Sequence, residues 1–178
     1  MGSDKKRSER MFTGKIIAVD TEMITLPNGH QFELELVQHP GGAAIVALDA
    51  EGQVCLLRQY RHAAEQWLWE LPAGKIDLAE SPLSTAQREL AEEAGVIAGQ
   101  WHELGAIYTS PGVFKEVIHL YLAQDISPGV VRHEEDELIE INWFDLHTVL
   151  EWAKNGQITD AKTLVGLFRA VELVDPDQ

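Results

Sequence analysis

The chain holds a single cysteine, Cys55, among its 178 residues, so no intrachain disulfide can form. Cys55 stands in the apolar stretch Val54-Cys55-Leu56-Leu57, where a packed, inert thiol is expected. The low count suits a reducing compartment. Basic residues are scarce too: Lys+Arg 14 against Asp+Glu 29 leave a formal charge of −15. So acidic a surface repels phosphate backbones and argues against coating nucleic acid, which needs a basic footprint. A small phosphorylated ligand stays possible if positive charge is concentrated locally or a metal is recruited. No apolar run approaches the roughly 20 residues of a membrane span. Residues 1–10 are polar and lack the apolar stretch of a signal peptide; a flexible tail and a cytoplasmic protein are expected. His30, His39, His62, His102, His119, His133 and His147 are scattered without ligand spacing, which argues against zinc. Repeats, low-complexity tracts and linkers are lacking as well.

What is present reads as one globular domain with a small extension: 45% of residues are hydrophobic and 24% charged. Residues 16–22 and 31–37 alternate like strands around Leu26-Pro27-Asn28-Gly29, with Asn-Gly as the hairpin signal. An antiparallel meander over residues 11–40 is therefore expected, followed by the main domain over 41–175. Strands are expected at 43–49, 53–59, 67–71, 103–110, 116–123 and 137–144. Helices are expected at 82–94, 148–154 and 160–171. The first is the best marked, with Ser81 as N-cap, Pro82 in the first helical position and Gly95 as the stop. The mixture implies an α/β or α+β sandwich.

That helix carries the chemistry. At about 100° per residue, Glu89, Glu92 and Glu93 share one arc beside a buried face of Leu83, Ala86, Leu90 and Ala94. Arg88 can pair with Glu92, but Glu89 and Glu93 are like charges four residues apart and repel. A hard divalent ion turns that repulsion into a ligand set, since Mg²⁺ takes carboxylate oxygens and phosphates. On composition alone, a solvated acidic face is the plainer reading.

The flanking residues change the balance. Gly74 is followed after five residues by Glu80, after seven more by Arg88-Glu89-Leu90, then by Glu92-Glu93 and Gly95-Val96. This spacing resembles the Nudix hydrolase signature at every fixed position. Arg58-Gln59-Tyr60-Arg61, Trp69-Glu70-Leu71-Pro72-Ala73-Gly74, Ser110-Pro111-Gly112 and the run from Gly156 to Thr163 resemble its ADP-ribose pyrophosphatase branch, and nucleotide-sugar hydrolases share several of them.

The resemblance implies a Nudix α/β/α sandwich on a mixed β-sheet, with the N-terminal meander packing on a second subunit in a homodimer. It implies Mg²⁺, with Mn²⁺ as a possible substitute, held by Glu89, Glu93, the carbonyl of Ala73 and Glu92 as a further ligand or partner. Glu80 and Arg88 are expected to tie loop to helix rather than touch substrate. Arg58 and Arg61 suggest an arginine fork for a diphosphate, with Arg61 otherwise pairing with Glu65. Glu70 and Pro111 are further candidate substrate residues. In the acidic run 134–137, Glu137 aligns best as the base that activates water, and Glu135 second. The implied reaction is hydrolysis of ADP-ribose to AMP and ribose 5-phosphate. GDP-mannose or broad-range nucleotide-sugar hydrolysis is the rival within the class. A non-catalytic ADP-ribose-sensing module is the rival outside it, and the intact carboxylate set speaks against that one.

Overall fold

A computed structural model describes residues 8–132 and 138–174. They fall into two compact units, one of residues 8–41 with 108–117, the other of the remainder.

The first unit is a four-stranded sheet. β1 (Ser8–Thr13) pairs antiparallel with β2 (Ala18–Thr25), which pairs antiparallel with β3 (Gln31–Gln38). The expected Asn-Gly turn joins the last two: Gly29 takes a φ of 84° and its N–H donates to the Leu26 carbonyl at 2.8 Å. The two-residue strand β9 (Phe114–Lys115) adds in parallel to β3. β1 begins inside the stretch expected to be tail; its side chains are all exposed, so no alternation marked it in the sequence.

The second unit is a layered sandwich, and β4 (Gly42–Ala47) shows why. Every residue of this strand is buried. Ala43, Ile45 and Ala47 pack in one core with Ala86, Leu90 and Ala94 of α1 (Pro82–Ala94). Ala44 and Val46 face a second core with Val149 and Leu150 of α2 (Leu146–Asn155) and Leu167 and Ala170 of α3 (Ala161–Val174). A strand alternates its side chains across the sheet, so a continuous apolar run means helices on both faces. β5 (Gln53–Arg61) divides likewise, Cys55 and Leu57 toward α1, Val54 and Leu56 toward the other layer. Full burial of each such leucine is worth about 1.5–3 kcal/mol.

The strands form two sheets. β4 lies between β7 (Ala73–Lys75) and β10 (Val117–Pro128), antiparallel to the first and parallel to the second; β8 (Val96–Tyr108) flanks β10. β5 lies between β6 (Gln66–Glu70) and β11 (Ile139–Asp145), antiparallel to both. The mixed α/β sandwich expected from the sequence is thus present. Leu83 departs from its expected place in the buried face of α1 and is exposed, while Thr85 is buried. The Thr85 hydroxyl donates to Glu80 at 2.8 Å, which turns that part of the helix toward the preceding loop.

Candidate active site

The helix that carries the acids is fixed at both ends. Ser81 Oγ accepts from the Ser84 N–H at 3.1 Å, Pro82 opens the first turn, and Gly95 closes the last with a φ of 67° and an N–H bond to the Ala91 carbonyl. These caps satisfy helix-end groups that would otherwise lack partners.

Burial grades across the acids. Glu93 is 4% exposed, and its Oε2 accepts from the Ala73 N–H at 2.7 Å. The Glu89 side chain is 12% exposed and lies against Gly74. A Cβ built on Gly74 would fall 1.8 Å from Glu89 Oε1, so only glycine admits the carboxylate there. Two carboxylates one helical turn apart thus meet the same backbone step, Ala73-Gly74. Glu92, at 36%, faces outward and takes a bond from Arg88.

Arg88 is the hub of the loop. Its Nε and Nη2 donate to Glu80 at 3.0 Å each, Nη1 donates to Glu89 at 2.7 Å and to Glu92 at 3.0 Å, and Nη2 also reaches the Lys75 carbonyl at 3.2 Å. The Arg88 and Thr85 hydrogen bonds hold the Glu80 carboxyl down at about 2, and Glu80 in turn raises Arg88 above its ordinary value. Glu80 and Arg88 therefore join loop to helix as expected. Burial, with the charge of Glu93, pushes the Cys55 thiol up to about 12, which makes it the inert thiol expected.

Among the described residues, no three His, Cys, Asp or Glu side chains converge as a preformed metal cage. The donor chemistry nonetheless fits a hard divalent cation: carboxylate oxygens of Glu89 and Glu93 brought to one backbone step, and a glycine cradle that any side chain would fill.

Three residues before Ala73, Glu70 is 2% exposed and receives both Nε and Nη2 of Arg61, at 2.7 and 2.8 Å, and the ammonium of Lys162. Burial raises the Glu70 carboxyl, but Arg61 and Lys162 outweigh it and leave it at about 2. Arg61 pairs with Glu70 rather than with Glu65. Arg58 does not join Arg61 in a fork. Three residues apart on β5, the two side chains leave opposite faces. Arg58 lies 3.4 Å from Glu140 and over the Trp67 ring at 5.2 Å. Pro111 lies in a turn of the first unit, where the Val113 N–H meets the Ser110 carbonyl at 3.2 Å.

Glu135 and Glu137 lie outside the described residues. Their flanks are described: the Arg132 N–H donates to the Glu92 carbonyl at 2.8 Å, and the Leu138 carbonyl accepts from the Tyr60 N–H at 3.4 Å. One flank is bonded to the acidic helix and the other to the residue beside Arg61. Lys162 and Asp160 are not marked as site residues by the sequence, although both lie in the run from Gly156 to Thr163. Lys162 lies 92 positions from its carboxylate partner Glu70, and no local pattern marks such a pair.

The arrangement can be compared with known proteins. The NUDIX domain model matches residues 38–165. The chain belongs to the Nudix family. It is 38% identical over 157 residues to an ADP-ribose pyrophosphatase of Bacillus subtilis, covering 87% of this chain and 85% of the relative. It is 35% identical over 163 residues to a methanol dehydrogenase activator of Bacillus methanolicus, covering 90% and 88%. A GDP-mannose pyrophosphatase of Salmonella typhimurium is 31% identical over 178 residues, with 91% and 89% covered. A solved ADP compounds hydrolase shares the fold, with a TM-score of 0.81 over 99% of this chain and 98% of that one, at 22% identity. Nudix hydrolases as a family use a divalent metal. Among the described residues, no helix is long and apolar enough to cross a membrane.

Proposed function

We propose that this Nudix enzyme hydrolyses the diphosphate of ADP-ribose to AMP and ribose 5-phosphate with Mg²⁺ as its metal. The observation that carries the reading is the meeting of Glu89 and Glu93 at the Ala73-Gly74 backbone. The names of the relatives support the substrate class. Glu89, Glu93, the Ala73 carbonyl and, when Arg88 yields it, Glu92 would hold the ion. Bound there, the ion supplies neutralisation of phosphate charge and a lower pKa for water.

The chain's own groups do the rest. The Ala73 N–H fixes the Glu93 carboxylate, and Arg88 orients Glu89 while anchoring the loop through Glu80. Arg61 offers its outer edge to a phosphate. Glu137, with Glu135 second, is the base that takes the proton from the attacking water. The described flanks support that assignment, since Arg132 is bonded to Glu92 and Leu138 to Tyr60. A homodimer through the first unit accords with its exposed apolar side chains, Met11, Phe12, Ile16 and Met23 among them. A cytoplasmic setting suits the single thiol.

The deciding experiment compares turnover of ADP-ribose, GDP-mannose and ADP-glucose at equal concentration with Mg²⁺. The highest kcat/KM is expected for ADP-ribose. Preference for GDP-mannose, or equal use of all three, would move the assignment to the nucleotide-sugar branch. Tight binding of ADP-ribose without turnover would make the protein a sensor.

A further inference from the structure

Glu70 is a buried acid at the end of β6. Both of its oxygens are committed. Oε1 accepts from Arg61 Nε, and Oε2 accepts from Arg61 Nη2 and from Lys162 Nζ. So enclosed, it has no oxygen directed at a ligand.

The groups it holds are differently placed. The Arg61 side chain is 42% exposed. Its fork toward Glu70 uses one edge of the guanidinium, which leaves the Nη1 edge outward. Lys162 is 11% exposed, and Glu70 and Asp160 Oδ2, the latter at 3.1 Å, take two of its three donors. Asp160 is fixed in turn by the hydroxyl and N–H of Thr163, at 2.6 and 2.9 Å. The same Thr163 hydroxyl accepts from the Leu71 N–H at 2.9 Å, two residues before Ala73. The start of α3 is thereby bonded to the strand end that also orients Glu93. Two cations that have donors to spare among the described residues, held by buried Glu70 and half-buried Asp160, make a preorganised anion clamp.

We propose that Glu70 is a positioning residue, aiming the outer edge of Arg61 and the third donor of Lys162 at the diphosphate, and that Lys162 is a second phosphate contact beside Arg61. The inference rests on the reading of the protein as a diphosphate hydrolase. Two positive and two negative charges cancel within the cluster, so it selects by directed hydrogen bonds rather than net charge. A lysine-to-methionine change keeps the stem and removes the donors; glutamate-to-glutamine keeps the shape and removes the charge that orders both cations.

The test is steady-state kinetics on wild type, Glu70→Gln, Lys162→Met and Lys162→Arg with ADP-ribose and Mg²⁺, alongside thermal melts. Glu70→Gln and Lys162→Met should each raise KM at least tenfold and leave kcat within threefold. Lys162→Arg, which can still span both carboxylates, should recover to within threefold of wild type. The Glu70→Gln/Lys162→Met double variant should be no worse than the poorer single one, because the two act as a unit. A purely structural role would lower the melting temperature and the active fraction with KM unchanged, and that result overturns the proposal. If Glu70→Gln does not fold, an unchanged KM in Lys162→Met overturns it alone. If wild type does not turn over ADP-ribose, the enzymatic reading fails separately, and calorimetric affinity for ADP becomes the readout. Tenfold weaker binding in both variants then upholds the clamp, and equal binding rejects it.

Discussion

Replacing Gly74 by alanine puts a methyl group where the Glu89 carboxylate lies. The new Cβ would stand 1.8 Å from Oε1, 2.0 Å from Cδ and 2.6 Å from Oε2. Contacts below 3.0 Å are not tolerated, so Oε1 must retreat by at least about 1.2 Å. The backbone itself accepts alanine, since Gly74 is not among the residues with positive φ. The obstructed group is the tip of a flexible side chain, so retreat costs little folding energy. Alanine also reduces the freedom of the unfolded chain, which stabilises by about 0.4–1 kcal/mol. The melting temperature should therefore stay within about 4 °C of wild type. Activity should not. A misplacement of about 1 Å in a positioned group can cost about 10²-fold in rate. The assay is kcat for ADP-ribose at saturating Mg²⁺, paired with a thermal melt. A folded Gly74→Ala variant that keeps more than a third of wild-type kcat would refute the placement of Glu89 as a working ligand.

Other consequences are open to measurement. Glu137→Gln should lower kcat by about 10²–10⁴ with little change in substrate affinity, and Glu134→Gln far less; collapse of Glu135→Gln alone would move the base by two residues. The Glu70 carboxyl is lowered from 4.5 to about 2, a shift worth about 3 kcal/mol of stability, present above pH 4.5 and lost as pH falls toward 2. The gap in urea midpoint between wild type and Glu70→Gln should accordingly narrow below pH 4.5, and a gap constant from pH 6 to 3 would contradict it. Sedimentation at micromolar concentration should give about twice the 19.8 kDa chain mass, whereas a fully active monomer would reject the dimer.

The bounds and caps of the helix that bears the acids were legible because local chemistry marks them, although Leu83 was misplaced on its buried face. Ser81, Pro82 and Gly95 act within one turn of their own positions, and the apolar spacing of Ala86, Leu90 and Ala94 carries its buried face. What escaped was set at a distance. β7 has only three residues and exists because Ala73-Gly74-Lys75 pairs with β4. β8 begins at Val96 rather than at 103, through a Gly99 that reads as a break. There the missing side chain makes room for Asp125, whose Oδ2 would lie 2.2 Å from a Cβ. The separation of Arg58 from Arg61 was available in principle, since odd spacing on a strand means opposite faces. Joining Lys162 to Glu70 required the fold itself.

Metal-assisted hydrolysis through the carboxylates of α1 is the centre of the account, and one measurement addresses it directly. ADP-ribose is incubated with wild type and with Glu93→Gln, each with Mg²⁺ and with excess EDTA, and the phosphorylated products are separated and quantified. Glu93 takes its place from the Ala73 N–H, so the glutamine variant should fold. Wild type with Mg²⁺ should release AMP and ribose 5-phosphate in equal amounts, and the other three reactions should release almost none. Full turnover in EDTA, or by the folded Glu93→Gln variant, would contradict the account.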